Sequence, residues 1–61
     1  MLTKEDRSKL IQASQVSSVL VQNLRNLASA DNPLLGEMAM EILQVAVQVE
    51  LKLKRLETLT K

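Results

Sequence analysis

A chain of 61 residues makes at most one small domain, and at that size folding buries only about 60% of the unfolded surface, so stability needs a staple or company. There is no Cys and no His, which removes disulfides, thiolate chemistry and the commonest metal ligand and proton shuttle. Phe, Tyr and Trp are absent and the net charge is +1, so the core is aliphatic and bulk charge selects neither nucleic acid nor an anionic membrane.

The first segment, MLTKEDRSK, carries charge where the apolar part of a signal peptide would begin, and no apolar run approaches the ~20 residues of a membrane span. A soluble, cytoplasmic chain without a membrane segment is expected. Thr3 followed by Asp6 approximates a capping box, and Glu5 and Asp6 suit the positive end of a helix dipole. No breaker follows until Ser29, so the pattern predicts a first helix over about 3–29. Leu10, Ala13, Ser17, Leu20, Leu24 and Leu27 recur at spacings of three and four, flanked by Val16, Val21 and Ala28. They form one amphipathic stripe, with Ile11 and Val19 outside it. The opposite side is polar but mostly uncharged: Gln12, Ser14, Gln15, Ser18, Gln22, Asn23 and Asn26. A solvated face is the plainer reading of it; a partly covered contact surface, depleted in charge, is the sharper one.

The single Pro and single Gly fall together in SADNPLLGE. Asn32 is pushed out of the α region by Pro33 and is a favoured N-cap, while Pro suits the first helical position. A second helix is therefore predicted over about 33–59, with Gly36 in its first turn. Equal lengths and a short connection predict an antiparallel hairpin, one helical unit spanning 1–61.

Within the second element, VAVQVELKLK alternates with period two, as a half-buried strand would. Glu37, Glu41, Gln44, Gln48, Lys52 and Arg55 nevertheless recur at helical spacing straight through it. A strand would also lack a partner strand within this chain. The alternation has another cause: apolar residues lie on both sides of one narrow polar stripe. One flank holds Leu35, Met38, Ile42, Val45, Val49, Leu53 and Leu56; the other holds Met40, Leu43, Val47 and Leu51. Ala39 and Ala46 lie between the flanks, seven residues apart, a spacing of small residues that permits close helix approach.

A helix apolar over most of its circumference is a buried helix, and one sibling with a single stripe cannot cover it. The expectation is an all-α hairpin that dimerises into a four-helix bundle with two-fold symmetry; another protein filling the same groove is the alternative. The residues expected to bind the partner are Leu35, Met38, Ile42, Val45 and Val49 on one flank and Leu43, Val47 and Leu51 on the other. One flank meets its own first helix and the other a second chain; the pattern leaves open which.

Signals of catalysis are lacking: no base accompanies the Ser residues, and an enzyme is not expected. Glu37 and Glu41, one turn apart, are too few for a hard cation, which takes six or more oxygens, so no metal or cofactor is expected. Met38 and Met40 read as core filling rather than an adaptable binding surface. Neither phosphate-loop spacing occurs around Gly36. Charge segregates along a hairpin: Lys4, Arg7, Lys9, Lys52, Lys54, Arg55 and Lys61 against Glu5, Asp6, Glu50 and Glu57 leave the terminal end at net +3, and Arg25 against Asp31, Glu37 and Glu41 leaves the loop end at net −2. Lys52, Lys54 and Arg55 are the candidates for a phosphate-binding patch, although complementing a helix C-terminus is the simpler account, and nucleic-acid modules carry a stronger basic patch.

In length and layout the chain resembles Rop-type helical hairpins, small dimers that bind RNA, and the small two-helix co-chaperones of bacterial secretion systems. The first resemblance implies an RNA-binding dimer as the alternative function. The likeness is one of outline, and the aromatic part of such an RNA contact has no counterpart in a chain without Phe, Tyr or Trp. The function expected from the residues is protein–protein interaction, as a small regulator, adaptor or co-chaperone acting as a homodimer.

Overall fold

In a computed structural model, which describes residues 2–60, the chain forms two α-helices, α1 over Lys4–Ala28 and α2 over Pro33–Leu59. Thr3 and Ser29 are the caps of α1 rather than its ends. Thr3 Oγ1 accepts from the Asp6 backbone N–H at 3.0 Å, satisfying one of the donors that a helix start leaves orphaned. At the other end the Ser29 N–H donates to the Asn26 carbonyl at 3.2 Å, and its hydroxyl donates to the same oxygen at 2.8 Å. Asn32 Oδ1 accepts from the N–H groups of Leu34 and Leu35 at 2.9 and 3.2 Å, and Pro33 opens α2 as expected. The segment VAVQVELKLK is continuous helix.

Gly36 does more than tolerate its place in the first turn. A Cβ there would lie 3.1 Å from the Ala28 carbonyl oxygen, so the missing side chain lets α2 cross close over the end of α1. The Cα atoms fill a slab of 45 × 15 × 10 Å, a single layer of two antiparallel helices. Stable domains bury the apolar side of one layer against another, and the described residues form one layer.

The seam between the helices is narrow and rich in small residues. Ala39 and Ala46 of α2 are buried, as are Ser14, Ser17, Val21 and Leu24 of α1. Leu43 and Val47 pack, half-buried, against Val21, Leu24 and Ala46. The seam is thus displaced from the aliphatic stripe of α1 towards its uncharged polar side, because serines permit the same close approach that the alanines do. Each buried hydroxyl is satisfied, as desolvated polar groups must be. Ser14 Oγ donates to Glu57 Oε2 at 2.8 Å, Ser18 Oγ donates to Glu50 Oε2 at 2.5 Å, and Ser17 Oγ donates to the Ser14 carbonyl at 2.6 Å. Arg7 Nη1 reaches the Thr60 carbonyl at 3.4 Å, tying the start of α1 to the end of α2. Ser14 and Ser18 therefore belong to a contact surface, but an intrachain one, and not to a solvated face.

Candidate interaction face

Each helix carries a stripe of large aliphatic side chains on one common side of the slab. In α2 the positions Leu35, Ala39, Ile42, Ala46, Val49, Leu53 and Leu56 alternate in steps of four and three, the pattern of a coiled-coil seam. Its alanines turn inward to α1, and its large members Leu35, Ile42, Val49 and Leu56 stay exposed. Met38 and Val45 stand beside them, with Val45 65% exposed. On α1 the exposed counterparts are Val16 and Leu20, and they share one open groove with Val49 and Leu53 of α2, with Lys9 and Gln12 at its rim. Leu27 extends the same stripe towards the loop.

The two flanks of α2 differ in cover. Leu43 and Val47 pack on the buried cluster within the chain. Leu35, Met38, Ile42, Val45 and Val49, the larger set, stand exposed. Leu51 and Met40 stand exposed beside the polar stripe, and Met40 joins Leu43, Gln44, Val47 and Gln48 around a smaller depression on the opposite side of the slab. The sequence pattern alone missed the exposed contribution of Val16, Leu20 and Leu27, because it counted the stripe of α1 as already used against α2. The serines at positions 14, 17 and 18 were the available signal: they offered α2 a narrower seat.

The exposed area is large for the mass. Folded monomers of 6.8 kDa expose about 4,000 Å² by the usual scaling with mass, whereas this hairpin exposes 4929 Å². The excess is about 1,000 Å², comparable with the ~800 Å² that each partner buries in a standard protein interface.

The three basic candidates do not share one face of α2. At 100° per residue, Lys52, Lys54 and Arg55 fan over three sides of α2, and none lies in its last turn, so macrodipole complementation does not account for them either. Lys54 Nζ lies 4.0 Å from Glu57 Oε2, at the limit of an ion pair and with the carboxylate half-buried, and Lys9 Nζ lies 3.5 Å from Glu5 Oε1, an exposed pair of the kind worth little. Lys61 lies outside the described residues. Among the described residues no group of three or more His, Cys, Asp or Glu side chains is gathered as for a metal, and no helix is long and apolar enough to cross a membrane. Comparison with known protein families, with curated proteins and with solved structures yields no match.

Proposed function

We propose that the chain is a non-enzymatic protein–protein interaction module, a small regulator, adaptor or co-chaperone, that works as a homodimer in the cytoplasm through the aliphatic face shared by α1 and α2. The observation that carries this reading is the continuous exposed stripe from Leu35 to Leu56, beside Val16 and Leu20. Monomers rarely leave contiguous apolar patches beyond a few hundred Å² in water, and a second copy of the hairpin offers a matching aliphatic face to cover this one. Stacking two such layers yields a four-helix bundle with the large residues inside. The seam supports the same reading: alanine and serine supply much of the contact between siblings, and most of the large side chains of α2 stay exposed.

Sedimentation equilibrium of the unmodified chain over a wide concentration range tests it. The expected result is a reversible monomer–dimer equilibrium in which helix content rises with dimer. A fully helical monomer at hundreds of micromolar would overturn the homodimer reading.

A further inference from the structure

The proposed homodimer leaves two ways to stack the faces: about a two-fold axis along the helices, with both loops at one end, or about an axis perpendicular to them, with loops at opposite ends. The spacing in α2 distinguishes the two. Leu35, Ile42, Val49 and Leu56 are symmetric about the point between Val45 and Ala46. Reversed end to end about that point, α2 sets Leu35 level with the Leu56 of a second copy and Ile42 level with its Val49. The aliphatic surface of α2 is therefore complementary to its own antiparallel image, which an isologous interface requires.

Charge points the same way. Glu41 and Lys52 stand on the outer rim of this stripe, on either side of its midpoint, and neither forms an ion pair among the described residues. In the reversed pairing each Glu41 comes within about 3 Å of level with the other chain's Lys52, at 1.5 Å of rise per residue. The pair occurs twice by symmetry. With the loops at one end, the hairpin's own register would set Lys52 level with the neutral Gln15–Ser17 stretch of the other α1 and Glu41 level with Arg25, which the helix wheel puts on the far side of that slab, and the two basic ends of the chains would meet.

Resting on the homodimer reading above, we propose that two copies stack with loops at opposite ends, α2 antiparallel to α2 about an axis beside Val45, held in register by Glu41 of each chain against Lys52 of the other. A charge-reversal cycle tests it, read by sedimentation equilibrium with helix content followed by circular dichroism. Glu41→Lys and Lys52→Glu each weaken the dimer about tenfold or more, since two pairs turn repulsive at once. The double variant E41K/K52E recovers most of that loss. The chain has no native cysteine, so a second readout is available. Val45→Cys, beside the axis, oxidises to a covalent dimer, whereas Leu56→Cys, whose two copies lie about 30 Å apart in this arrangement, does not. A dimer with additive charge variants, or one in which Leu56→Cys cross-links as readily as Val45→Cys, overturns the arrangement and leaves the homodimer reading standing. A chain that remains monomeric overturns both.

Discussion

Val45→Asp separates the face from the seam. Val45 is 65% exposed in the hairpin, whereas the half-buried side chains packed on the cluster of Val21, Leu24 and Ala46 are those of Leu43 and Val47. Val and Asp have similar helix propensities, so the isolated hairpin should lose no more than a few tenths of a kcal/mol. In the dimer the position is covered. Full burial of a Val side chain contributes about 1.5–3 kcal/mol. Covering the exposed two-thirds contributes about 1–2 kcal/mol per chain, and so about 2–4 kcal/mol per dimer. Two carboxylates brought together at the axis add a further cost. The dissociation constant should rise by at least about 30-fold to 1,000-fold. Sedimentation equilibrium gives the constant, and circular dichroism at a concentration where both proteins are monomeric gives the helix content. A Val45→Asp chain that dimerises as tightly as the parent would refute the assignment of this face.

Val47→Asp should behave in the opposite way: its half-buried side chain packs on Val21, Leu24 and Ala46, so a charge there destabilises the hairpin itself by about 2–3 kcal/mol, seen as lost helix at every protein concentration in urea titrations. Ser14→Ala removes the 2.8 Å bond to Glu57 and leaves that half-buried carboxylate with one partner fewer; a loss of about 1 kcal/mol in denaturant unfolding is expected. Asn32→Ala deletes the side-chain acceptor for Leu34 and Leu35 and should lower stability by about 1 kcal/mol in the same assay, with unchanged dimer stoichiometry.

Much of the hairpin was legible before its coordinates. Thr3 and Asn32 marked both helix starts, Pro33 fixed the corner, and the polar stripe from Glu37 to Arg55 outvoted the strand-like alternation at Val45–Lys54. Those signals are local, and local hydrogen bonding honours them. The rotation of each helix about its axis was less legible. A wheel shows that α1 has one aliphatic side, but not that serine and alanine would form the tighter seam, since the choice depends on how closely two backbones can approach. Gly36 shows the same limit. Its place in the first turn is visible in the sequence, whereas the 3.1 Å between its missing Cβ and the Ala28 oxygen exists only once α2 has folded back.

The cover over the aliphatic face can be observed directly from methyl resonances in the presence of a soluble paramagnetic agent, at protein concentrations where the mass is twice 6.8 kDa. Leu34 and Leu59, 64% and 73% exposed on the polar side of α2, serve as internal references and should broaden strongly. The account predicts that Ile42, Val45 and Leu20 are shielded from the agent and regain sensitivity on dilution to monomer. Broadening of those three methyl sets as strong as at Leu34 and Leu59, at every concentration, would contradict it.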